Sequence, residues 1–265
     1  MVRWVHIACA LVWVFIGPVW RWACEPERRL WAPTALLAAG FFAAFLPFDG
    51  PISRGLAGVR LGGDIRRELE AIQQYGQGVS SCLIALVIWL QDPRQRRRLA
   101  DWLAAVLVCG VIVNAMKMLV GRPRPQFDDP WRFLGPFGQY PIGRNMGVHH
   151  AWEFWEDISS RLWSMPSSHT AYACIMAVFI GTVYPRLRGL ALAVALLVGL
   201  GRVITTAHYP TDVIVGAALG LIVGRLAVRG RWGQRVLEGR NAAAEHRAGD
   251  APAHAPEEAL SAKAG

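Results

Sequence analysis

The apolar residues of this 265-residue chain come in blocks of roughly 17–22, separated by short charged connectors. At about 1.5 Å per residue, a helix of that length crosses the roughly 30 Å hydrocarbon core of a bilayer. Hydrocarbon offers no water to backbone N–H and C=O groups, so each block must satisfy its own backbone by forming a helix. The pattern therefore predicts an all-α, polytopic membrane protein. The expected spans are Val5–Trp22, Leu30–Phe48, Gln73–Leu90, Leu99–Leu119, His169–Tyr184, Gly189–Ala207 and Thr211–Val228. Hydrophobic residues make up 54% of the chain, above the 45–50% or so of soluble domains. Two small soluble domains of the same total length would not group their apolar residues this way.

The first block follows Arg3, which raises a signal peptide, but no small-residue cleavage site comes after it. Pro18, Trp20, Arg21 and Trp22 are poor flanks for one, so the segment is expected to stay in the membrane. The organisation read from these blocks is an N-terminal hydrophobic segment over 1–29, a membrane domain over 30–237 and a disordered cytoplasmic tail over 238–265. The tail is rich in Ala, Glu and Pro and has no apolar periodicity. Cys9, Cys24, Cys82, Cys109 and Cys174 form no C-x-x-C pair, and they read as small hydrophobes rather than disulfide partners or metal ligands.

A net charge of +9 would suggest nucleic acid in a soluble protein. Here the arginines sit in the connectors, where the positive-inside rule accounts for them. Arg94, Arg96, Arg97 and Arg98 mark one cytoplasmic loop, Arg186 and Arg188 a second, and Arg225, Arg229, Arg231 and Arg235 the C-terminal end. No nucleic-acid partner is expected. The loop from Gly121 to Met165 then falls on the extracytoplasmic side, and its many Trp, Phe and Tyr residues suit a membrane interface. His149 and His150 within it read as surface residues. Ile65, Leu69 and Ile72 give Asp64–Tyr75 the spacing of an amphipathic helix lying at that interface.

Three charged or polar motifs interrupt the apolar blocks on this same side. Lys117 is followed after six residues by Arg124-Pro125, with Arg122 between them. Alone, Lys117 reads as a snorkelling cation. Three cations just outside the membrane run against the positive-inside trend, and a bound anion would balance them. Pro166-Ser167-Ser168-His169 reads as a helix start, where free backbone N–H groups favour anions. Arg202 lies inside an apolar run, where a charge is costly. His208 and Asp212 are four residues apart, so Asp212 is placed to accept a proton from one imidazole nitrogen and leave the other free as a nucleophile. Pro210 between them puts the pair at the start of a helix.

These motifs resemble the pattern K-x6-R-P, P-S-G-H, S-R-x5-H-x3-D of the type-2 phosphatidic acid phosphatase superfamily, which includes vanadium haloperoxidases. The matching residues are Lys117, Arg124 and Pro125, then Pro166, Ser167, Ser168 and His169, then Arg202, His208 and Asp212. Ser168 stands in place of the motif's glycine, and Gly201 in place of the serine before Arg202. The resemblance implies a six-span helical core preceded here by an additional N-terminal hydrophobic segment. It also implies a metal-independent, cofactor-free lipid phosphatase acting on a phosphate monoester or diphosphate. Lys117, Arg124, Ser167, Ser168 and Arg202 would bind phosphate. His208, oriented by Asp212, would form a phosphohistidine, and His169 would protonate the leaving alkoxide. Candidate substrates are phosphatidic acid, phosphatidylglycerol phosphate, undecaprenyl diphosphate and a lipid A phosphate. The alternatives are a lipid phosphotransferase using the same site and a non-catalytic membrane protein. The expected location is the inner membrane of a bacterium, with the site facing away from the cytoplasm.

Overall fold

The computed structural model describes residues 17–59, 62–142, 147–156 and 159–249. Most of the expected first span, Val5–Trp22, lies outside the described residues, as does the tail from 250 onward. Among the described residues, the apolar blocks fold into helix. The helices are α1 (Ala32–Phe45), α2 (Asp49–Ala57), α3 (Gly63–Gln73), α4 (Gly78–Gln91), α5 (Arg96–Val120), α6 (Ser168–Val183), α7 (Arg188–Ile204), α8 (Pro210–Gly230) and α9 (Trp232–Gly249). Among the described residues, four helical stretches are long and apolar enough to cross a membrane: Ala32–Ala57, Pro93–Phe127, Pro185–Ile204 and Pro210–Gly230. Gly78–Gln91 and Ser168–Val183 are shorter apolar helices.

Three boundaries differ from the sequence reading. The span expected to end at Phe48 continues through a 3-10 turn into α2, which carries Asp49. The span expected from Gln73 begins at Gly78, because Gln73 ends α3 and Gln74–Gly76 forms a 3-10 turn. The third is a correction: the tail expected to be disordered from 238 is helical as far as Gly249. Its Ala, Glu and Arg residues have strong helix propensity, and α9 is nucleated where it docks on α5. There Asp101 accepts from the backbone N–H of Gln234 at 3.0 Å and from its side-chain amide at 2.5 Å.

The helices pack through small residues, as they must where hydrocarbon gives no hydrophobic drive between them. Gly216, Gly220 and Gly224 recur every fourth residue along one face of α8. A Cβ at Gly216 or Gly220 would overlap the backbone carbonyls of Ser167 and Ala171 on α6. This close approach sets the start of α6 against the start of α8. Ala173, Cys174 and Ala177 of α6 meet Ala191, Ala195 and Val198 of α7 in the same manner. On the outside, Leu83, Val87, Leu107, Val111, Leu190 and Leu196 are exposed and apolar, as a bilayer-facing surface requires. Cys109 and Cys174 are buried as expected, whereas Cys24 and Cys82 are exposed.

The described residues of the connector between α5 and α6 form a small unit of their own. Gly121, at φ 57°, ends α5 in the left-handed conformation glycine favours. A short antiparallel hairpin, β1 (Gln139–Pro141) and β2 (Val148–His150), pairs Tyr140 with His149. Leu134, Ile142, Ala151 and Leu162 form its apolar centre. The amphipathic helix expected near Asp64 is α3, but Ile65 is exposed, and the buried side is formed by Ile72 and Gln73.

Gly220→Leu should force α6 and α8 apart. Overpacking of this kind costs about 1–3 kcal/mol. The thermal unfolding midpoint in detergent should fall clearly. Gly40→Leu, where nothing lies within 4 Å of an added Cβ, should leave it unchanged. Equal midpoints for the two variants would contradict the packing described.

Candidate active site

The ends of four helices converge on one polar centre. Lys117 comes from the last turn of α5, His169 from the first turn of α6, Arg202 from the last turn of α7, and Asp212 from the first turn of α8. His208 lies in the tight connector between α7 and α8, and Arg124 just beyond α5. Because successive helices run in opposite directions, the arginine-rich connectors lie at the far end. There the Tyr184 hydroxyl donates to Asp92 at 3.1 Å.

His208 is buried. Its Nδ1 lies 2.6 Å from the backbone carbonyl oxygen of Ser164. A carbonyl only accepts, so Nδ1 carries the proton and Nε2 is left with its lone pair. Asp212 was the partner expected from spacing, but its Oδ2 stands 3.6 Å from Nδ1, a charge contact and not a direct hydrogen bond. Asp212 acts one step removed: its Oδ2 accepts from the Ser164 hydroxyl at 2.5 Å and from the Tyr209 N–H at 2.9 Å. Ser164 therefore links the pair, with its hydroxyl on the carboxylate and its carbonyl on the imidazole. No sequence motif pointed to it. Burial pushes the His208 imidazole down to about 4 against the pull of Asp212, so the ring is neutral at pH 7.

Arg122 resolves differently from its expected role. Its guanidinium is fully buried and lies between two carboxylates, 2.7 Å from Asp49 and 2.7 Å from Asp212. It also donates to the Thr211 hydroxyl at 2.7 Å and to the carbonyl of Pro130, and stacks on Tyr209 at 4.3 Å. Asp49 in turn accepts from the backbone N–H of Thr211 at 3.1 Å and from the Thr211 hydroxyl. Of the cations that the sequence left needing an anion, Arg122 finds its balance inside the protein.

Lys117, Arg124 and Arg202 remain. The Lys117 ammonium donates to the Ser168 hydroxyl at 3.1 Å. Arg124 uses Nε on the Ser160 carbonyl at 2.8 Å, and among the described residues its terminal nitrogens meet no acceptor. Arg202 donates to Gln73 at 2.8 Å, and its Nε is buried without a partner among the described residues. All three act electrostatically on His169, together with His208. The His169 ring is held by Gln77, whose amide lies 3.2 Å from its Nε2.

Ser167 occupies the N-cap position of α6, yet its hydroxyl does not cap the helix. It accepts from the Thr170 hydroxyl at 3.0 Å, and the Ser167 N–H donates to the Asp212 carbonyl at 3.0 Å. The first-turn N–H groups of α6 stay open beside the cations, an arrangement suited to a tetrahedral anion. His149 pairs with Glu153 at 2.6 Å in the hairpin unit, and His150 stacks on Trp152.

An apolar helical shell with a cationic, two-histidine centre at one end is the build of an integral membrane protein. Residues 98–235, more than half of the chain, match the PAP2 superfamily, and the chain belongs to it. Lipid A 1-phosphatase of Rhizobium johnstonii is 33% identical over 126 residues, covering 45% of this chain and 44% of that protein. Decaprenylphosphoryl-5-phosphoribose phosphatase of Mycobacterium tuberculosis is 34% identical over 149 residues, covering 54% and 67%. The transmembrane PAP2-type phosphatidylglycerolphosphate phosphatase of Bacillus subtilis shares the fold, with a TM-score of 0.52 at 21% identity, over 75% of this chain and 93% of that one. The chain spans about half the length of the lipid A phosphatases it matches.

Asp49→Ala should leave Arg122 buried with half its charge balance. Breaking a buried ion pair from one side costs about 3–5 kcal/mol. A large fall in the detergent unfolding midpoint is expected, smaller for Asp49→Asn, which keeps the hydrogen-bond acceptor. No change in either variant would show that Arg122 does not depend on Asp49.

Proposed function

We propose that this chain is a membrane lipid phosphatase, hydrolysing a lipid phosphate monoester or diphosphate through a phosphohistidine at His208. The observation that carries the reading is the convergence of a neutral, Nδ1-protonated histidine, a second histidine, three cations and an open helix N-terminus.

In this reading Lys117, Arg124 and Arg202 hold the phosphoryl oxygens, joined by the N–H groups at the start of α6 and by Ser168. The charge that spreads over those oxygens in the transition state is stabilised by groups already in place. His208 Nε2 attacks phosphorus. The N–P bond forms as the P–O bond to the lipid breaks, and the departing oxygen takes a proton from His169. The phosphorylated imidazole is positive, and Asp212, 3.6 Å from Nδ1, offsets that charge. Water then attacks phosphorus, giving a proton back to His169. The P–N bond breaks and inorganic phosphate leaves. Side chains supply the positive charge, and no metal is required.

The site lies at the opposite end of the helices from the arginine-rich connectors, which supports an extracytoplasmic site in a bacterial inner membrane. The names of the relatives make a lipid A phosphate and a polyprenyl-linked phosphate the first substrates to try.

The test is phosphate release by purified protein from phosphatidic acid, phosphatidylglycerol phosphate, undecaprenyl diphosphate and lipid A. At least one should be hydrolysed, and His208→Ala should lower that rate by at least about a thousand-fold. Failure with all four by folded protein would contradict the proposal. The pH profile gives a second check. His208 is nucleophilic only when neutral, so kcat/KM, corrected for substrate ionisation, should fall as pH drops through about 4. An acid limb at the ordinary histidine value of about 6.5 would contradict the assignment of its burial to the nucleophile.

A further inference from the structure

Gly201 stands where the family motif has a serine, and the structure shows what fills the vacated room. A Cβ on Gly201 would come within 3.1 Å of Cγ and 3.2 Å of Nε2 of Gln73. Gln73 is buried at the end of α3, outside the stretch that matches the family. Its Oε1 accepts from Arg202 at 2.8 Å, and its Nε2 donates to the Leu69 carbonyl at 3.0 Å. A guanidinium only donates and a carbonyl only accepts, so the two bonds fix the amide in a single orientation.

This contact bears on two parts of the site. The Arg202 guanidinium is held at one terminal nitrogen, while Nε is buried and unpartnered among the described residues. The Arg202 carbonyl accepts from the N–H groups of Ala207 and His208 at 3.0 and 3.1 Å, so the position of Arg202 also sets the turn that carries His208.

We propose that Gln73 is a positioning residue for the phosphate site, holding Arg202 from the space that a side chain at position 201 would enter. The inference rests on the phosphatase reading above. Gln73 touches no reacting atom in this account; it acts through Arg202. It also makes α3, the amphipathic helix, part of the site's support, because the residue that ends that helix reaches the phosphate-binding arginine.

The swap between positions 73 and 201 gives a direct test. Gln73→Leu fills similar space but cannot accept a hydrogen bond, and it should lower kcat/KM by about ten-fold or more. Gly201→Ser alone should also lower it, because its Cβ crowds Gln73. Gln73→Ala combined with Gly201→Ser restores an acceptor beside Arg202 and should recover activity well above that of Gln73→Ala alone. Wild-type activity in Gln73→Leu, or a double variant no better than Gln73→Ala, would overturn the proposal while leaving the phosphatase reading intact. A second readout does not depend on turnover. Inorganic phosphate should raise the unfolding midpoint of the wild type, and this rise should be lost in Arg202→Ala and reduced in Gln73→Leu. That pattern in a protein that hydrolyses none of the lipids would sink the phosphatase reading and support the role of Gln73. A phosphate shift unchanged in Gln73→Leu would count against it.

Discussion

The buried guanidinium of Arg122, shared between Asp49 and Asp212, is the interaction on which the rest of the site depends. A lone charge in this setting would be prohibitively costly, and the three groups are stable only together. Their union ties α2, the connector after α5 and the start of α8 into one block. It fixes the Asp212 carboxylate, which fixes Ser164 through its hydroxyl, and the Ser164 carbonyl in turn fixes the His208 ring. A contact between residues 49 and 122 thus selects the imidazole nitrogen that is left bare.

The same network decides the charge of the site. Asp49 and Asp212 both face Arg122, so neither forms an ion pair with Lys117, Arg124 or Arg202. Those three cations and the open start of α6 are left without a carboxylate partner among the described residues. A neutral His208 beside them does not add to their repulsion. The balance favours an anion over a neutral or cationic ligand, which supports the phosphate proposed as its occupant.

Much of this was legible in the sequence because it follows from local spacing. Apolar block length gave the helices, and the separation of His208 and Asp212 placed them at one helix start. The matching motifs placed Lys117, Arg124, His169 and Arg202 at the same end of the helices. The misses concern long-range partners, which no local pattern encodes. Arg122 read as one of three cations in need of a bound anion because Asp49 lies 73 residues away. Asp212 looked like the direct partner of His208 because nothing marks Ser164, 44 residues earlier, as the intermediary. Gln73 looked like the first residue of a span, yet it bonds a residue 129 positions on. The helical tail after 238 was missed for another reason: composition suggested disorder, while docking of Gln234 on Asp101 nucleates a helix that its Ala and Glu residues then extend.

The central claim is that His208 forms a covalent bond to phosphorus, and trapping that bond tests it most directly. Brief incubation with a lipid carrying labelled phosphate, followed by denaturation and peptide mapping, should find an acid-labile, alkali-stable label on His208. The label should be absent from His208→Ala and, in the wild type, should form at least as fast as phosphate is released. Label on another residue, or phosphate release at the wild-type rate by His208→Ala, would contradict the account.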